Sequence, residues 1–137
     1  MNAAPIPEAE GLPRDLHVVS VVFTPDATHV DLQSRSTGRL WRVRFLGAEG
    51  HRVLDEGDLL EFWPECSAPN GVIFKVTSGG WFEQECQRQG FLKRDTQPEM
   101  PEYFITGENA CVSVLSYTPP ELSELVQAGV VVSKAAI

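Results

Sequence analysis

The sequence predicts an α+β fold: a mainly antiparallel β-sheet with one to three short helices, in a single domain. Length and composition come first. The chain has 137 residues, 42% hydrophobic and 22% charged, a globular balance long enough to bury a core without disulfides or metals. Pattern comes second: several short segments alternate apolar and polar residues with the period of a half-buried strand. Punctuation comes third: Gly, Asn, Pro and Ser clusters separate these segments at short intervals, and few stretches carry helix start and stop signals.

Residues 1–15, "MNAAPIPEAEGLPRD", hold Pro5, Pro7 and Pro13 together with Glu8, Glu10 and Asp15, and read as a flexible N-terminal arm ahead of a domain over 16–137. They lack the basic and then apolar regions of a secretory signal. "LHVVSVVF" predicts a strand over 16–23, apolar on both faces and therefore central in its sheet. A strand over 28–35 follows, with Val30 and Leu32 on one face and Asp31 and Gln33 on the other. "STG" is a hairpin loop, and 39–45 returns with Trp41, Val43 and Phe45 facing one way and Arg42 and Arg44 the other. That hairpin places Asp31 beside Arg42 or Arg44.

"RVLDEGDLLEFWPEC" comes next. Its carboxylates Asp55, Glu56, Asp58, Glu61 and Glu65 are interleaved with Leu54, Leu59, Leu60, Phe62 and Trp63. Residues 56–63 fit a short helix closed by Pro64, or a turn at Asp55-Glu56-Gly57 followed by a strand. A strand over 71–77 buries Val72, Phe74 and Val76. "WFEQECQRQG" is a helix stopped by Gly90. Strands over 102–106 and 111–117 are joined by the "GENA" turn. Thr118, Pro119 and Glu121 match a capping box, predicting a helix through Ala128 that stops at Gly129. "VVVSKAAI" ends the chain as a strand or an apolar tail.

The formal net charge of −8 disfavours phosphate backbones and favours a basic partner. No apolar run is long enough to span a bilayer. Cys66, Cys86 and Cys111 are odd in number and lack a Cys-x-x-Cys pair, which argues for free thiols in a reducing cytoplasm. His17, His29 and His51 have no metal-site spacing; His51 with Asp55 and Asp58 is the one combination close enough to suggest a divalent cation. The segment 55–65 lacks the alternating oxygen ligands of an EF-hand loop. Neither a Gly-x-Ser-x-Gly elbow nor a phosphate-binding loop is present, so no catalytic residue and no cofactor is expected. What remains is recognition. Trp63, Trp81 and Phe82 lie beside Glu61, Glu65, Glu83 and Glu85, the aromatic-within-charge composition that protein interfaces use.

The order "RFLGAEGHRVLDEGDLLEFW", "GVIFKVTSGGWFEQE", "EYFITGENACVSVLS", opened by Leu16-His17 and carrying Phe45-Leu46-Gly47, resembles a group of small uncharacterised bacterial proteins. It also resembles the β-rich immunity proteins of polymorphic toxin systems. The resemblance covers about residues 16–116 and brings no catalytic motif. It implies a non-enzymatic cytoplasmic protein that neutralises a cognate, basic protein toxin. The expected partner-binding residues are Asp55, Glu56, Asp58, Glu61, Glu65, Trp81, Glu83 and Glu85. Two other classes compete: a small metal-dependent hydrolase using His51 and the nearby carboxylates, and a self-associating structural or regulatory subunit.

Overall fold

A computed structural model describes residues 1–127 and 130–136, with side chains through residue 126. The chain is mainly antiparallel β-sheet with a few short helices. Its strands are β1 (Asn2–Pro5), β2 (Leu16–Phe23), β3 (Ala27–Ser34), β4 (Leu40–Leu46), β5 (Gly50–Asp55), β6 (Ile73–Ser78), β7 (Glu102–Ile105), β8 (Ala110–Leu115), β9 (Glu121–Gln127) and β10 (Val130–Ala136). The helices are single turns or little more: α1 (Trp63–Cys66), α2 (Trp81–Glu85) and α3 (Lys93–Thr96). The strands form two five-stranded sheets, ordered β1-β6-β7-β8-β5 and β10-β9-β4-β3-β2.

The alternation of "RLWRVRF" works as its pattern requires. Trp41, Val43 and Phe45 are buried together with Val30, Leu32 and Leu16 of the second sheet and Ile73, Tyr103, Ile105, Val112 and Val114 of the first. Phe45 meets Tyr103 across this interior at 5.6 Å between ring centroids. The other face of the first sheet is buried as well. Phe74, Val76, Phe104, Cys111 and Leu115 pack under Leu59, Phe62, Cys66, Trp81, Phe82 and Met100 from the helical segments. A sheet covered on both faces reads as unbroken apolar runs, which is why "EYFI" and "CVSVL" show little alternation.

On the outer face of the second sheet, Asp31 stands opposite Arg42, as the hairpin predicts. Both carboxylate oxygens are engaged, by Arg42 Nε at 2.8 Å and Nη2 at 3.0 Å.

The structure corrects several expectations. Residues 1–15 are not a loose arm: β1 pairs with β6, and Ile6, Ala9 and Leu12 enter the core between the sheets. The strand over 16–23 is an outer strand rather than a central one, with Val19, Val22 and Phe23 exposed. "WFEQECQRQG" is helical only to Glu85. The capping-box helix after Thr118 is instead strand β9, which pairs with β4 from Leu40 to Arg44. Ala128 and Gly129, its expected end, lie outside the described residues. β4 offers a second free edge, and its ladder, with Leu122 buried at the inter-sheet core, outweighs the local cap.

Candidate functional site

The acidic segment follows β5 directly. Asp55 ends the strand by turning its carboxylate onto the Gly57 N–H at 2.8 Å, which caps a 3-10 turn over Glu56–Asp58. A second 3-10 turn covers Leu60–Phe62, and Pro64 sits in the first turn of α1. Leu59, Phe62 and Cys66 are spaced to lie on one side of this path and are all buried. Phe62 stacks on Phe104 at 4.5 Å. The opposite side is therefore forced outward, carrying Glu56, Asp58, Glu61 and Glu65 together with Leu60, 64% exposed, and Trp63, 44% exposed. Trp63 Nε1–H donates to the Glu56 carbonyl at 3.0 Å, which fixes the ring against the segment. Asn70 closes the far end by donating to the carbonyls of Pro64 and Glu65 at 3.3 and 3.2 Å.

All five carboxylates of 55–65 are exposed, and none enters a salt bridge among the described residues. A hydrogen-bonded chain joins this segment to α2. Gln84 Nε2 donates to Glu61 at 2.9 Å, and Arg52 Nη1 donates to Gln84 Oε1 at 3.0 Å. The residues expected from α2 divide by role. Glu83 is exposed, but its carboxylate accepts from the Gly79 N–H at 2.7 Å. Glu85 is half-buried and pairs with Arg88 at 3.4 Å. Trp81 is buried, which corrects its expected place beside the patch. The Arg52 guanidinium lies 5.6 Å from its ring and 5.8 Å from that of Phe62.

Glu102 is a functional-looking residue that sequence reasoning passed over. It is 3% exposed and accepts from the backbone N–H groups of Trp81 and Phe82 at 2.9 and 2.8 Å. Burial raises its pKa above the ordinary carboxylate value, against those two hydrogen bonds and the nearby Arg52 charge. Gly80 is required there, because a Cβ would collide with the Glu102 carboxylate. The signal was present in the sequence: an acid opening the otherwise apolar strand "EYFI". Its geometry is that of a side chain starting α2 from across the sheet.

A groove of about 290 Å³ lies beside the segment, with Arg14, Glu56, Trp63, Cys66, Phe104, Glu108 and Cys111 in its lining. Burial pushes the Cys66 thiol up to about 12 and raises Cys111 in the same direction, so both are protonated at neutral pH and poor nucleophiles. His29 is held below its usual value by burial and then by Arg42 and Arg44. His51 is exposed and lies against Phe23, 5.9 Å between rings. Among the described residues, no three His, Cys, Asp or Glu side chains are placed to hold a metal ion. His51, Asp55 and Asp58 are thus not gathered into such a group. No helix among the described residues is long and apolar enough to cross a membrane.

Fold and site together define a two-sheet antiparallel β protein with a helical flank faced by carboxylates. No family model, curated protein or solved structure matches the chain significantly.

Proposed function

We propose that this chain is a single α+β domain that binds another protein without catalysis: a cytoplasmic, immunity-type inhibitor of a basic toxin. The observation that carries the reading is the outward face of 55–65. Five exposed carboxylates surround Leu60 and Trp63, and the buried Leu59, Phe62 and Cys66 hold the backbone beneath them. Exposed apolar anchors rimmed by one sign of charge suit a partner carrying the opposite sign. The charge speeds encounter, and the anchors supply the desolvated contact. Three free thiols suit a reducing compartment.

The test is kinetic. The product of a toxin-like reading frame adjacent in the genome is immobilised, and association is measured for the wild type and for the triple variant Glu56→Lys, Asp58→Lys, Glu61→Lys. All three positions are exposed, so the fold is expected to survive. Association is expected to slow by roughly 10-fold or more, and the wild-type rate to fall as salt rises. An unchanged rate in the triple variant would sink the proposal.

A further inference from the structure

β5 is an outer strand: β8 pairs along one side of it, and among the described residues no strand pairs along the other. Proteins usually protect such edges with short length, proline, lysine, a bulge or a covering loop. Two other outer strands carry these devices. β1 is four residues long and ends in Pro5. β2 is bulged between Val18 and Ser20. Asn109 also occupies the β2 edge: its Oδ1 accepts from the Val18 N–H at 2.8 Å, and its Nδ2 donates to the Val18 carbonyl at 2.9 Å. β5 lacks most of them: it runs six residues in unbroken register, without proline or lysine. Its charges are Asp55, at the end of the strand, and Arg52, which lies over the rings of Phe62 and Trp81.

The direction of its backbone groups follows from the ladder. Ser116 N–H donates to the Pro101 carbonyl at 3.1 Å, so Ser116, Val114 and Val112 turn their backbone groups to β7, and Leu115, Ser113 and Cys111 turn theirs to β5. The residues paired with these last three, Gly50, Arg52 and Leu54, therefore turn their backbone groups to β8. His51, Val53 and Asp55 turn theirs to the open side. The side chains of these same three residues are the exposed ones, Val53 at 43%.

We infer that β5 pairs antiparallel with β5 of a second copy of this chain, about a two-fold axis at Val53. In that register Val53 stands opposite Val53 of the partner subunit, and His51 stands opposite Asp55 of the partner subunit on both sides of the axis. Every outward-facing residue of β5 is then paired. Sliding to the next in-phase register leaves an end residue without a partner. The side-chain chemistry selects the same register, because it sets an imidazole beside a carboxylate twice and an apolar pair at the centre. Exposed Phe23 already lies against His51 and extends the apolar strip toward the new strand. Apart from Asp55, the pairing uses none of the acidic face assigned to a basic partner, so the two readings stand or fall separately.

Sedimentation of the full chain over a concentration series tests the inference. The wild type is expected to double its mass from 15.1 kDa as concentration rises. Val53→Lys puts like charges on the axis and should hold the mass at that of the monomer, with the melting temperature the wild type shows at concentrations where it is monomeric, because the position is half-exposed. Val53→Cys should form a covalent dimer on mild oxidation, since directly opposed hydrogen-bonded residues lie about 5.5 Å apart between Cα atoms, within disulfide reach. Leu60→Cys, exposed but off the axis, should not. A wild type that stays monomeric throughout, or a Val53→Lys variant that still doubles its mass, overturns the inference.

Discussion

Two carboxylates show how folding moves an acid in opposite directions. Asp15 accepts from the Ser36 N–H at 2.8 Å and from the Ser34 hydroxyl at 3.0 Å, and its contacts with Ser36 foremost hold its pKa down to about 2. Folded, it binds fewer protons than unfolded. Its contribution to stability is present above its ordinary value of 3.8 and is lost as pH falls through about 2. Glu102 is raised by burial and binds more protons folded than unfolded. Its contribution is complete below its ordinary 4.5 and is lost as pH rises through the raised folded value. Asp15→Asn is therefore expected to flatten the loss of stability on the acid side. Glu102→Gln should be less stable overall, because an amide has one acceptor oxygen for two N–H donors, but should remove a fall of stability with rising pH that begins near 4.5. Urea denaturation across pH checks both. A wild-type and variant pair whose profiles run parallel would show that the residue does not titrate differently on folding.

At the scale of elements, burial decides what the Asp31–Arg42 pair contributes. An exposed cross-strand pair is worth a few tenths to about 1 kcal/mol. Asp31 is only 6% exposed and Arg42 is half-buried, so Asp31→Ala leaves a partly buried guanidinium without its partner and should destabilise by about 1–3 kcal/mol. Replacing Arg42 as well should recover part of that loss, and a double-mutant cycle with no coupling would mean that the pair is only geometric. This hairpin was legible because Trp41, Val43 and Phe45 alternate with arginines and Gly38 marks the turn, with φ at 76°. Strand β9 was not legible. Thr118, Pro119 and Glu121 cap a helix as well as any residues can, and Leu122 and Leu125 keep helical spacing. The partner that makes the segment a strand is β4, far away in sequence. β5 was missed because its alternation is inverted relative to expectation, with Val53 facing solvent while Arg52 is half-buried among rings. The acids of 55–65 face outward, in keeping with a stretch whose one nearby cation is Arg52. Which tryptophan accompanied them was not readable, because Trp63 and Trp81 have similar local surroundings. Only the position of the second core, under α2, separates them.

For the whole molecule, the first sheet carries two loads: it packs against the second sheet on one face and supports the acidic segment and α2 on the other. The N-terminal segment links both. β1 covers the free edge of β6 from Pro5–Phe74 to Asn2–Ser78, and Ile6, Ala9 and Leu12 then fill the space between the sheets. Ile6 adds a main-chain bond, its N–H donating to the Ile73 carbonyl at 2.9 Å. Removal of residues 1–12 should therefore act on stability and on solubility at once. Each of Ile6 and Leu12 contributes about 1.5–3 kcal/mol through burial, a large share of the roughly 5–15 kcal/mol that holds a typical domain folded. The uncovered edge would be β6, whose Ile73, Phe74 and Val76 are apolar, and such an edge recruits further strands. The truncated chain is expected to show a much lower urea midpoint and to scatter light on warming before it unfolds. A double substitution, Ile6→Ala with Leu12→Ala, separates the two effects. It keeps β1 on the edge, so it should lower the midpoint without the scattering. A truncated chain with the stability and scattering of the full chain would show that residues 1–12 are ballast on a domain that begins at Leu16, as the proline-rich sequence alone suggests.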